Sequence, residues 1–188
     1  MNFKAIAIPT LKLFAIGTII TILLFITYSK TEAKIEQNKA DAAVQSRQKV
    51  LPEAKDFDEK TVTVDGTEYT YYESTNDVGY VFSASTKGYG GQVVTMVGIN
   101  AKGEIVGVLV TEAADETPGL GAKWLGTDDA NIKRLQQYYG AIPDSDFAVK
   151  KDGGTIEAVA GATITSRAVT ADVNSAIAQY KAATGGAK

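Results

Sequence analysis

Glu157-Ala-Val-Ala-Gly-Ala-Thr-Ile-Thr-Ser-Arg-Ala-Val169 is a short apolar run that turns at Gly161 into a helix. Val169, Val173, Ala176, Ile177 and Tyr180 follow at helical spacing. That period predicts a helix from about Thr163 to Tyr180 with one apolar face. Three hydroxyls, Thr163, Thr165 and Ser166, stand where the helix begins. A helix start exposes unpaired backbone N–H groups and a partial positive charge, which suits a phosphate. Capping is the competing explanation: one hydroxyl accepting a backbone N–H stabilises a helix by about 1 kcal/mol. Capping needs one hydroxyl, and three are present. Ser166 and Arg167 are further donors available to an anion.

Working outward, Phe147–Val149 and Thr155–Val159 read as short strands. Asp128 to Tyr139 reads as a helix with Ile132, Leu135 and Tyr139 on one face and Asp128 or Asp129 near its start. Before it lies the loop Thr111–Lys123, which contains Thr117-Pro-Gly-Leu-Gly121 and precedes Trp124, the single tryptophan. Pro118-Gly119 is a turn pair. The loop's acids, Glu112, Asp115 and Glu116, read as a solvated cluster and lack the support a metal site needs. Ile105–Val110 and Val93–Ile99 are apolar strands joined through Asn100-Ala-Lys-Gly103. Gly79–Ser85 is a further strand, followed by the glycine-rich loop Thr86-Lys-Gly-Tyr-Gly-Gly91. Thr61 to Tyr72 is a hairpin turning at Asp65-Gly66. This order predicts an α+β fold, with helices packed on a mainly antiparallel sheet.

The N-terminal segment differs in kind. Leu13 to Ser29 holds no charge, and 17 such residues are at the short end of a bilayer span. Lys4 and Lys12 precede it, which favours a cytoplasmic N-terminus and puts the rest of the chain outside the cytoplasm. A retained single-pass anchor and a cleaved signal peptide both fit. The only cleavage candidate, Thr31-Glu32-Ala33, is poor in small residues, which favours the anchor. Lys30 to Val50 is rich in helix formers and reads as a polar stalk helix ending before Pro52, either a solvated spacer or a partner for another helix. The expected division is an anchor over 1–30, stalk and linker over 31–55, a folded domain over 56–183 and a flexible tail over 184–188.

Composition closes several functional classes. The 188 residues include no Cys and no His. Cysteine-ligated iron–sulfur clusters, haem with a His or Cys ligand, ordinary zinc sites and His-dependent nucleophilic triads therefore lack their groups. Redox chemistry in such a chain rests on an organic cofactor. A net charge of −3 gives no basic excess for nucleic acid. Three glycine-bearing loops, 88–91, 117–121 and 160–163, let a backbone approach a ligand closely, although each is also an ordinary turn. None matches a P-loop or dinucleotide fingerprint.

Thr86-Lys-Gly-Tyr-Gly-Gly91, Glu116-Thr-Pro-Gly-Leu-Gly-Ala-Lys123 and Gly161-Ala-Thr-Ile-Thr-Ser-Arg-Ala-Val169 occur in this order after one apolar span. With them the whole chain resembles the G subunit of the Rnf complex, an ion-translocating ferredoxin:NAD oxidoreductase. The C subunit of the sodium-pumping NADH:quinone oxidoreductase shares the flavin-binding domain and is usually longer. The resemblance implies FMN held by a phosphodiester to the threonine of a Ser/Thr-Gly-Ala-Thr motif, attached from FAD by a flavin transferase. Carried onto this sequence, the attachment residue is Thr163, preceded by Gly161 and Ala162. Thr165 is the alternative hydroxyl, and Ser166 is a helix-start donor. Thr117, Pro118, Gly119, Leu120 and Gly121 line the flavin ring or its tail, and Lys123 lies beside it. Tyr89, by residue type, is a stacking partner. The family prefers Asp before the motif and Ser or Thr directly before Gly161, where this chain has Glu157 and Ala160.

The implied role is a membrane-bound electron carrier in a complex that moves Na⁺ or H⁺. Its implied partners are the other components of the Rnf complex and the transferase. Outer-sphere transfer requires no catalytic side chain. A stand-alone extracytoplasmic flavoprotein and a structural component with a lapsed flavin site are the other readings.

Overall fold

The computed structural model describes residues 3–185. Residues 186–188 of the expected tail lie outside the described residues, as does the side chain of Lys4. The chain divides into two compact units after Val44.

The first unit is helix. α1 (Phe3–Val50) runs without a break through both the expected span and the expected stalk. Its 26-residue stretch Ala7–Glu32, whose most apolar 18 residues have a mean hydropathy of 2.1, is long and apolar enough to cross a membrane. Its large apolar side chains, Leu13, Phe14 and Phe25 among them, are exposed. The hydroxyls of Thr18, Thr21 and Thr27 donate to the carbonyls of Phe14, Gly17 and Leu23, each at 2.8 Å. These threonine hydroxyls are thus satisfied by the helix's own carbonyls, which suits an apolar surrounding.

The second unit is built on a six-stranded antiparallel sheet whose strands follow chain order. These are β1 (Phe57–Val64), β2 (Thr67–Ser74), β3 (Gly79–Lys87), β4 (Gln92–Asn100), β5 (Glu104–Glu112) and β6 (Gly140–Ala141). Asp65 and Gly66, at φ 50° and 79°, make the two-residue turn between β1 and β2. Both central residues at positive φ give the turn whose twist matches a hairpin.

One face carries the main core. α3 (Thr163–Ala183) lies across it, chiefly against β3 and β4. Val169, Val173, Ala176, Ile177 and Tyr180 are all buried there, as the helical period requires. Tyr71 stacks on Phe82 at 5.2 Å, and Tyr180 meets Phe82 edge-on at 6.1 Å. The other face is covered by Val50, Leu51 and Ala54, packed with Val81 and Met96. Gly98 and Gly107 are paired across β4 and β5, and a Cβ on either would come within 2.1 Å of the Val50 carbonyl. The paired glycines let the chain after α1 lie directly on the sheet.

Two local expectations are corrected. Residues 147–149 and 155–159 do not form strands; they meet in a single parallel bridge, Val149 to Ile156. The chain between them is a tight turn through Lys150–Asp152 and Gly153 at φ 86°, so the segments are spent on each other. The helix expected over 128–139 is α2 (Asp129–Leu135), capped by Asp128 and followed by a 3₁₀ turn over Gln136–Tyr138. Its buried residues are Asn131, Leu135 and Tyr138, while Ile132 and Tyr139 are exposed. The Asn131 amide donates to the Trp124 carbonyl at 2.9 Å, which turns that side of the helix inward.

Candidate functional site

The site forms where three glycine-bearing segments meet the start of α3. A cleft of about 400 Å³ is lined by Tyr89, Glu116, Thr117, Leu120, Gly121 and residues 161–165. Cavities for small ligands span roughly 300–1,000 Å³. Tyr89, Leu120 and Ile164 bring exposed apolar surface to the cleft. Gly161, at φ 80°, turns the chain into the helix. A Cβ there would stand 3.2 Å from the Leu120 side chain.

Glu116 ties these segments together. Its Oε2 accepts the Thr165 hydroxyl at 2.5 Å, and its Oε1 accepts the Gly90 N–H at 2.9 Å. Burial pushes its pKa up, but the Thr165 hydroxyl and the backbone N–H groups of Gly90, Gly91 and Tyr89 outweigh it and hold the carboxyl below the usual glutamate value. The expectation that Glu112, Asp115 and Glu116 form a solvated cluster therefore fails at Glu116, which is 2% exposed. The glycines explain how a carboxylate fits. A Cβ on Gly88 would lie 2.3 Å from Oε1, and one on Gly121 would lie 2.5 Å from Oε2.

The three helix-start hydroxyls have separate roles. Thr165 is buried and bound to Glu116. Ser166 is buried beneath the turn: its Oγ donates to the Ala162 carbonyl at 2.9 Å and accepts the Val159 N–H at 3.1 Å. The Trp124 indole N–H also reaches it, at 3.3 Å. Neither side chain caps the helix, because the N-cap is Ala162. Thr163 is the first helical residue, lines the cleft and is half-buried. Its Oγ1 accepts from the Lys151 ammonium at 3.2 Å.

The other residues named from sequence divide around this cleft. Thr117, Leu120 and Gly121 line it with Gly161 and Ala162, whereas Pro118 and Gly119 form the exposed turn beside it. Lys123 faces a separate groove with Lys133, Arg134, Lys150 and residues 157–160. Glu157 pairs there with Lys150 at 2.5 Å. Glu157 and Ala160, which depart from the family pattern, thus line the neighbouring groove. Arg167 does not turn to the cleft; it forms a two-pronged pair with Asp152 at 2.6 and 2.7 Å. Among the described residues no cluster of acids could hold a metal ion. Glu116 and Lys151 were missed as site residues from sequence. The glycines that make room for Glu116 carried the signal for it; Lys151, one exposed lysine of a pair, carried none.

The cleft suits a flavin mononucleotide. It has an apolar cradle of ring-sized side chains, an accessible hydroxyl at one end, and a helix start with a lysine beside that hydroxyl. Residues 88–178 match the family model of the FMN-binding domain. The chain is 33% identical over 202 residues to the G subunit of the Na(+)-translocating ferredoxin:NAD(+) oxidoreductase complex of Acetobacterium woodii, covering 96% of this chain and 94% of that protein. It is 29% identical to the G subunit of the ion-translocating oxidoreductase complex of Methanosarcina acetivorans, over 93% of this chain and 94% of that one. The Pseudomonas aeruginosa protein of the same description is 38% identical over 108 residues, 53% of this chain.

Proposed function

Because the chain belongs to the G-subunit family of ion-translocating oxidoreductase complexes, we propose that it is the complex's membrane-bound FMN carrier, with the flavin esterified to Thr163. FMN supplies reversible electron storage when bound. The chain's own part is to hold the ring against Tyr89, Leu120 and Ile164, fix its phosphate at the start of α3 and set its surroundings. In that role it relays electrons within an assembly that couples transfer between ferredoxin and NAD to Na⁺ or H⁺ movement. Its partners are the other components of the complex and, during maturation, a flavin transferase.

One observation carries the choice of residue. Of the three hydroxyls at the helix start, Thr165 and Ser166 are 1% and 0% exposed and donate their protons within the fold, whereas Thr163 is only half-buried and its oxygen accepts. A phosphodiester there carries one negative charge, which the first turn of a helix stabilises.

In this reading residues 1–30 are a single-pass anchor, 31–55 join it to the domain, and 56–183 form the FMN-binding domain. Lys4 and Lys12 keep the N-terminus cytoplasmic, so the flavin lies outside the cytoplasm. A covalent bond then keeps the cofactor from being lost by dissociation. The groove holding Glu157 and Ala160 is the surface the transferase reads.

The test is in-gel flavin fluorescence after denaturation, with the chain expressed beside the transferase. Wild type and Thr165→Ser give a fluorescent band, and Thr163→Val gives none. A full-strength band from Thr163→Val would overturn the assignment.

A further inference from the structure

The turn Lys150–Asp152 runs beside the first two turns of α3 and makes two contacts with it. Asp152 holds Arg167, and Lys151 donates to the Thr163 hydroxyl at 3.2 Å. Thr163 and Arg167 are four residues apart, so they share one helix face. The two contacts differ in charge. Arg167 is neutralised by its bidentate carboxylate. Lys151 has no ion-pair partner among the described residues, and its one hydrogen bond there is to a neutral hydroxyl. Its ammonium acts on Asp152 only through space, so a cation without a direct ion pair is held at the oxygen where the flavin phosphate is to be bonded. Glu116, on the cleft side, takes its hydrogen bonds from Thr165 and Gly90 and makes no ion pair with Lys151.

We propose that Lys151 is the positioning residue for flavin attachment and the counter-ion of the finished phosphodiester. This rests on the assignment of Thr163 as the attachment point. In the attachment step the Thr163 Oγ attacks the phosphorus on the flavin side of FAD. The new P–O bond forms as the anhydride P–O bond breaks. AMP leaves with that electron pair, and the hydroxyl proton passes to a base of the transferase. By donating to Oγ, Lys151 occupies one lone pair, orients the hydroxyl outward and stabilises negative charge developing on the oxygen. Once the bond is made, the same ammonium pairs with the phosphate oxygens. The Asp152–Arg167 pair fixes the turn that carries Lys151 and keeps Arg167 from competing.

The experiment uses the full-length chain in detergent, purified without flavin, then mixed with FAD and the transferase. Loading is followed by in-gel fluorescence, and the modified residue is identified by peptide mass. Lys151→Met is expected to load at least tenfold more slowly, with an unchanged melting temperature before loading. Lys151→Arg restores the rate to within threefold of wild type. Lys102→Met, whose exposed lysine lies on the turn between β4 and β5 outside both grooves, loads normally. In the loaded wild-type chain, Lys151 is protected at least fivefold from an amine-reactive label, and exposed Lys102 is not. Wild-type loading by Lys151→Met, or equal labelling of Lys151 before and after loading, overturns the inference while leaving FMN on Thr163 intact. Absence of FMN from the Thr163 peptide of wild type defeats the attachment assignment itself, and this inference with it.

Discussion

The Glu116 carboxylate and the Thr165 hydroxyl meet at 2.5 Å across 49 residues of chain. With the Gly90 N–H on its other oxygen, Glu116 joins the glycine-rich loop, the 117–121 turn and the start of α3. Glu116→Gln puts an amide N–H against one of these donors. It is expected to destabilise the domain by about 1–3 kcal/mol. Thr165→Val leaves the carboxylate short of a donor and costs a similar amount. In a double-mutant cycle by chemical denaturation, the two losses are less than additive, since both remove one bond. Full additivity would show that the pair is not coupled.

The same carboxylate sets an acid limb. Its folded pKa is depressed below that of a free glutamate. Its contribution is therefore complete above the unfolded value and lost as pH falls through the folded one. Glu116→Gln removes this limb, so its stability changes less than wild type below about pH 4.5.

Asp172 behaves in the opposite way. It is buried on α3, with Oδ2 accepting the Thr95 hydroxyl at 2.9 Å and no partner on Oδ1. Burial pushes its pKa up to about 7, outweighing the Thr95 hydroxyl and the nearby Thr86 hydroxyl, which favour the charged form. The folded state thus binds the proton more tightly than the unfolded chain. Stability declines as pH rises from the unfolded aspartate value towards 7, and levels off above it. Asp172→Asn removes the charge that must be buried. It is expected to gain on the order of 2–4 kcal/mol relative to wild type at pH 8, and little at pH 4. Parallel pH profiles for the two proteins in urea unfolding would refute this.

Gly107 gives a test of how the second sheet face is covered. An alanine Cβ there would lie 2.1 Å from the Val50 carbonyl and 2.5 Å from its Cα. Backbone cannot yield as a side-chain tip does, so Gly107→Ala must lift residues 50–54 from the sheet at a cost of about 1–3 kcal/mol. Faster hydrogen exchange at the amides of residues 51 and 54 is the expected signature. Unchanged exchange there would show that the segment is not held by this contact.

What could be read from the sequence was local. Asp65-Gly66 names its turn through its own backbone preference, and the buried face of α3 follows from the spacing of Val169, Val173 and Tyr180. The flavin segments were legible as glycines close to hydroxyls. The role of each hydroxyl was not, because it depends on distant partners: Thr165 on Glu116, Ser166 on Trp124, Thr163 on Lys151. Glu116 looked like its neighbours Glu112 and Asp115 because a carboxylate's burial is set by donors elsewhere in the chain. Spacing puts Ile132 and Tyr139 on one face with Leu135, yet both are exposed while Leu135 is buried. The Trp124 and Gly126 carbonyls instead claim Asn131 and turn α2 around.

Tyr89 provides the last prediction. It lines the cleft yet is 70% exposed, so its ring is available to a planar ligand. Aromatic rings prefer offset stacking on flat π-systems. A tyrosine stacked on a flavin quenches its emission by electron donation to the excited ring. Tyr89→Leu keeps apolar surface in the cleft and removes the donor. Its native flavin emission is expected to exceed that of wild type at equal loading, with loading read from the denatured gel band, where the tertiary contact is gone. The flavin's reduction potential should shift as well, because the π-face that Tyr89 covers gains access to water. If native emission is equal in the two proteins while the gel bands match, Tyr89 does not cover the ring, and Leu120 with Ile164 form its whole contact.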